Sequence, residues 1–416
     1  MNTILGELGK NSKFCEYIKN IENQKSPIAI SGLTDVGMIQ MLSATKEFAK
    51  KPICIITYNE IQARKIVEDL KYFIDKIIYL PKKEIVTYDY VAESKDLPYE
   101  RIEALNKIQE TKTGIVVTTI EAVAQKMISK KALYKNVLKF KIGEVHDLEQ
   151  IKQKLVDLGY VRYDLIDGRG QFSIRGGIID ISLTEKMGIR IELWGDEVDS
   201  IRYFNIVSQR STENTEKATI YPAHEYVLET DISTVVEKIR NTIYAETLQS
   251  QVEQDIEVIK TGNYISKIEK YLNCFYEEQE TILDYLNEKF IIALDEINKI
   301  NQRLENINLD SQNIIQLLID KEKIVPDAIK NIMNYLQFDE KLENKQIIYL
   351  AKNDDEIKIQ AEKYNWIYKE KNFYKSEIEI LVKELLKAQE EKKKIYILAE
   401  TKEKAKKICS LLDEHE

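Results

Sequence analysis

The sequence has little of what usually announces chemistry. Its four cysteines, Cys15, Cys54, Cys274 and Cys409, lie far apart with no CxxC pair. Neither a zinc cluster nor a disulfide framework is expected, and reduced thiols in a cytosolic protein are the plain reading. The three histidines, His146, His224 and His415, stand alone, and neither HExxH nor GxSxG occurs. Acidic residues are many, but none are paired for acid–base work, so no catalytic residue and no metal site are expected. The N-terminus lacks the apolar core and small-residue cleavage site of a signal peptide. No apolar run is long enough to cross a bilayer. A cytoplasmic location without a membrane partner follows as the expectation. A net charge of −9 argues against a broad basic surface that grips phosphates.

What is present is ample apolar material. A 44% apolar fraction in 416 residues is enough for packed cores, with roughly three domains as the prior. Residues 1–126 alternate short apolar runs (26–31, 52–58, 77–81, 114–119) with amphipathic helices, the pattern of a parallel sheet with right-handed crossovers. Asn59 is placed to cap one of these helices. Residues 127–215 form a second unit, and 216–345 return to helix-rich sequence ending in a buried strand before Asp295-Glu296. That strand is expected to rejoin the first sheet, which makes the middle unit an insertion. Residues 346–416 are lysine-rich, with QIIYLAK and KKIYILAET as strands of a further small α/β domain and Thr401 capping its last helix.

Two stretches bear on function. The loop after the first strand reads Gly32-Leu33-Thr34-Asp35-Val36-Gly37-Met38-Ile39. Its glycines match the spacing of GxxxxGK[ST], but Met38 and Ile39 stand where a phosphate-binding lysine and a Mg²⁺-binding hydroxyl are needed. Chance spacing and a decayed nucleotide loop are both open, and the position between an apolar strand and a helix favours the second. Asp295 and Glu296 read either as acids at a helix N-terminus or as a relic of a metal-binding acidic motif. Without the loop's partner residues, the relic is favoured. The second stretch runs from Gly159 to Arg210. In it QFSIRG and GIRIELWG alternate with period two: Phe172, Ile174, Ile189, Ile191 and Leu193 point to one face, and Ser173, Arg175, Arg190, Glu192 and Trp194 to the other. Arg162 is close by in sequence. A charged outer face is ordinarily a solvated one.

RGGIIDI followed by IRIELWGDEVDSIRYFNIVSQRS closely resembles the second domain of the bacterial transcription-repair-coupling factor family (Mfd), and less closely the matching domain of UvrB. The resemblance covers most of the chain and fades after about Gln346. It implies a degenerate helicase-like α/β domain, interrupted by a mostly antiparallel α+β insertion and followed by a partial α/β domain. It also implies that Arg162, Arg175, Arg190 and Glu192 contact the damage-recognition ATPase UvrA. Family members carry a further arginine at the position of Ser173. UvrB inserts a long aromatic hairpin where this chain has only the short stretch 88–108 with Tyr88, Tyr90 and Tyr99, so a damage-probing wedge is expected to be absent. On this reading the chain is an N-terminal fragment, catalytically silent and without a cofactor. ATP and Mg²⁺ belong to a motor beyond it, as do contacts with RNA polymerase and double-stranded DNA, and a C-terminal domain covers the docking surface. The alternative is an active UvrB-type ATP-dependent enzyme that verifies damage.

Overall fold

The computed structural model describes residues 3–83, 96–135, 137–225, 227–228, 230–241, 246–261, 270–320, 332–368, 378–399 and 401–414. Tyr88, Tyr90 and His415 lie outside them. The first strands are β1 (Ile28–Ser31), β2 (Ile53–Thr57), β3 (Ile77–Leu80) and β4 (Ile115–Thr119). Every residue of β1, β2 and β4 is buried. Continuously buried runs of this kind, rich in Ile and Val, suit a parallel sheet covered by helices on both faces. Asn59 caps Glu60–Leu70 as its position predicts, with its side chain accepting from the Gln62 amide at 2.8 Å.

After β4 the chain leaves this sheet. The short β5 (Met127–Ile128) and Leu133 still pack in the first domain's core. β6 (Leu138–Lys141) and the helix Leu148–Asp157 open the insertion. Its sheet contains β7 (Val161–Arg162), β8 (Gln171–Arg175), β9 (Ile178–Ser182), β10 (Met187–Trp194), β11 (Glu197–Asn205) and β12 (Ser211–Asn214). They pair in the order β12-β11-β10-β9-β8-β7. β13 (Lys217–Ile220) returns to pair with β6. Phe172, Ile179, Ile181, Ile189, Ile191 and Ile201 form the core under this sheet, against Leu155 and Ile220. The inward half of the alternation is thus as read from sequence.

The short β14 (Gln279–Glu280) pairs back onto β5. β15 (Ile291–Asp295) then rejoins the main sheet between β2 and β16 (Gln346–Leu350), so the middle unit is an insertion into one α/β domain. One expectation needs correcting here. QIIYLAK does not open a separate domain: β16 lies between β15 and β1, and β17 (Glu362–Asn365) pairs with the outer edge of β1. Ile347, Ile348 and Leu350 are buried on both faces of their strand, which only an interior position in a covered sheet provides. Residues 393–399 form no strand, and Ile395 to Leu398 remain at least 40% exposed. The last helix, Lys402–Asp413, forms with Thr401 as its cap.

The insertion is carried by the helix Leu97–Glu110 of the main body. Its Tyr99 closes over Gly170, its Glu100 pairs with Arg169 at 3.1 Å, and its Glu110 accepts from Tyr221 at 3.2 Å. Tyr99 is thus a packing residue. Beside it, Arg101 and Glu225 form an ion pair buried to 2% exposure on each side.

Candidate functional site

The outer face of the insertion sheet is built by register. Ser173 lies opposite Asp180, Asp180 opposite Arg190, Arg190 opposite Arg202, and Arg202 opposite Asn214. Two arginines directly opposite one another repel, and each is matched by its own carboxylate. Arg190 donates to both oxygens of Asp180, Nε to Oδ1 at 2.6 Å and Nη2 to Oδ2 at 2.9 Å. Arg202 pairs with Glu192, which also accepts from Ser200 at 2.9 Å. The bonds to Asp180 hold the Arg190 guanidinium above its usual range. Arg190 also lies over the Phe204 ring, 4.9 Å from its centroid.

Arg175 stands in the open as expected, but Arg190 and Glu192 are partly covered, which corrects the expectation for those two. Asp180, Ser173 and Phe204 are all buried on this face, and the Arg190 side chain is only 17% exposed. Arg175 retains more reach. Its Nη2 donates to Asp180 Oδ2 at 2.7 Å while its side chain stays 48% exposed. Arg162 is exposed on the edge strand, opposite Phe172 rather than in the arginine row. It makes no side-chain hydrogen bond or ion pair among the described residues. At the end of the face Trp194, on β10 with Arg190 and Glu192, is 85% exposed. Opposite it is Glu197, which bridges to Val145, itself 72% exposed. The period-two pattern places Trp194 on this face, but its exposure depends on how the hairpin ends.

The structure assembles the other sequence candidates at the carboxyl edge of the main sheet. Thr34 caps the helix Asp35–Ala49, so Gly37, Met38 and Ile39 lie inside the helix, with Met38 and Ile39 buried in the core. The chain after β17 crosses Gly32 and Gly37. Trp366 and Tyr368 donate their amides to Ser31 and Gly32 at 2.8 and 3.1 Å. The Tyr368 ring would stand 2.6 Å from a Cβ on Gly37. Lys352 links the two acidic elements, 3.6 Å from Asp35 and 3.7 Å from Glu296. Asp35 is also paired with Lys65 at 2.6 Å, and Glu296 with Lys299 at 2.5 Å. Burial raises the Asp295 carboxyl above its usual range, although it accepts from Thr57 at 2.9 Å and from Gln62 at 3.3 Å. What remains between these groups is a cavity of ≈ 20 Å³. Among the described residues no group of three or more His, Cys, Asp or Glu side chains is arranged to hold a metal ion. No helix among them is long and apolar enough to cross a membrane.

Residues 138–226 match the UvrB interaction domain. The chain is 28% identical over 344 residues to the transcription-repair-coupling factor of Bacillus subtilis (strain 168), an alignment covering 79% of this chain and 29% of that protein. It is 29% identical over 331 residues to the transcription-repair-coupling factor of Staphylococcus aureus (strain bovine RF122 / ET3-1), covering 76% and 28%. The chain thus spans less than a third of the length of these relatives.

Proposed function

We propose that this chain, a relative of the transcription-repair-coupling factors with a UvrB interaction domain at its centre, is a docking module that recruits UvrA to transcription stalled at DNA lesions. The observation that carries the reading is the outer face of the insertion sheet. It presents a partly exposed guanidinium at Arg175 and an exposed tryptophan at Trp194 on one sheet face. Arginine and tryptophan are the residues that most often dominate protein interfaces. The Arg175 fork can make paired bonds to a carboxylate of the partner. Arg190 and Glu192 support the face through their own ion pairs, and Arg162, exposed on the edge strand opposite the core-facing Phe172, stands apart from it.

Truncating an interfacial arginine that pairs with a desolvated charge costs roughly 2–5 kcal/mol. Arg175→Ala is therefore expected to weaken UvrA binding at least about tenfold, with an unchanged circular dichroism spectrum. Calorimetric titration of UvrA into the full chain tests this. A folded mutant with wild-type affinity removes Arg175 from the interface, and a wild-type chain that does not bind UvrA refutes the docking role.

The remnant cradle supports a module that neither binds nor hydrolyses ATP. The positions for lysine and hydroxyl are held by Met38 and Ile39, and Asp35 adds negative charge beside the space a triphosphate would need. Titration with Mg-ATP is expected to give no saturable heat. Micromolar binding that Gly37→Tyr abolishes would overturn this.

A further inference from the structure

We propose that Asp180 is the positioning residue of the docking face: its buried carboxylate sets the direction in which the arginines are presented to the partner. The inference rests on the docking role above and names the group through which that face is organised. Asp180 has no exposed surface, yet it accepts three hydrogen bonds, all from arginine side chains. A buried carboxylate is costly unless paired, so this site retains both arginines. The two are held unequally. Arg190 is clamped through Nε and Nη2 and lies over Phe204, so it has little freedom to turn outward. Arg175 donates to Asp180 through Nη2 alone, and its side chain stays 48% exposed.

Asp180 thereby turns a flexible side chain into a directed donor, and ordering such a side chain before binding reduces what binding must supply. It also offsets one of the two positive charges beside it, so that the face binds by direction as much as by charge. Ser173, opposite Asp180, contributes nothing to this clamp. Its hydroxyl is buried and has no hydrogen-bond partner among the described residues. The carboxylate's capacity is accordingly taken up by Arg175 and Arg190.

The test compares Asp180→Asn and Asp180→Glu with wild type in the full chain. The first removes the charge with little change of shape. The second keeps the charge and moves it by one methylene. Both are expected to weaken UvrA binding by about tenfold or more. Combining Asp180→Asn with Arg175→Ala is expected to cost little beyond Arg175→Ala alone, because the two act as one unit. A purely structural role predicts full multiplication of the losses and near-wild-type binding by a folded Asp180→Glu; either result overturns the proposal.

A second measurement needs no partner. Modification by phenylglyoxal, mapped by mass spectrometry, is expected to speed up severalfold at Arg175 and Arg190 in Asp180→Asn. Arg202, held by Glu192, should be unchanged. Equal acceleration at all three indicates general loosening, and no acceleration at Arg175 and Arg190 shows that Asp180 does not hold them. Both results overturn the proposal. If UvrA does not bind the wild-type chain, the docking role fails while this measurement still decides what Asp180 holds.

Discussion

Glu225→Ala is expected to lower the unfolding free energy by about 3–5 kcal/mol, among the largest single-residue losses in the chain. Its partner Arg101 is held by two bonds to the carboxylate, at 2.7 and 3.1 Å, and by one to the Pro81 carbonyl. Removing the carboxylate takes away two of the hydrogen bonds that hold this guanidinium in the interior. The pH dependence supplies a signature. Burial pushes the Glu225 carboxyl up, but the Arg101 and Lys83 charges overcome it and hold the folded-state value below the ordinary 4.5. A depressed carboxylate contributes its stability in full above the unfolded value and loses it as pH falls through the folded one. The wild-type chain should therefore lose stability below about pH 4.5 more steeply than Glu225→Ala does. Replacing both partners, Arg101→Met with Glu225→Leu, should cost far less than the single change. Urea unfolding read by circular dichroism measures all three. A loss below about 1 kcal/mol for Glu225→Ala would show that the pair does not tie the insertion to the body.

The distance of that pair along the chain explains what was legible in the sequence and what was not. Local patterns transferred well. Asn59 and Thr401 cap their helices because a cap needs only a side chain and an amide three residues on. Phe172, Ile189 and Ile191 face the core because alternation is a property of the strand itself. Features that need a partner from afar were hidden. Arg101 and Glu225 are separated by 124 residues. Asp180 sits in RGGIIDI where alternation places it on the outer face, and only the pairing of β9 with β8 and β10 shows that two arginines seal it from water. KKIYILAET has the composition of a strand, but a strand also needs a neighbour, and no pairing forms among the described residues. QIIYLAK formed its strand and joined a sheet begun more than 300 residues earlier, for which nothing in its own composition provides a sign.

The same lesson bears on the glycines of the loop after β1. Gly32 is expected to be indispensable for the path of Trp366 and Tyr368 over the cradle, independently of any phosphate. Its φ of +75° lies in the left-handed region, and an added Cβ would overlap the Trp366 carbonyl oxygen. Gly176 supplies the control. Its φ is +61°, but nothing stands within 4 Å of a Cβ placed there. Gly176→Ala should therefore cost only the left-handed strain, roughly 1–2 kcal/mol. Gly32→Ala carries the same strain and must also push the backbone after β17 off β1, so its loss should exceed that of Gly176→Ala by at least about 1 kcal/mol. The chain's two tryptophans make the displacement visible, because Trp366 is 9% exposed and Trp194 is 85% exposed. In a Trp194→Phe background the emission reports Trp366 alone. Gly32→Ala should shift it to the red before global unfolding, while Gly176→Ala should leave it unmoved. If the two alanine variants lose equal stability and Trp366 keeps its emission, the segment after β17 is not held over β1 by its contacts with Gly32.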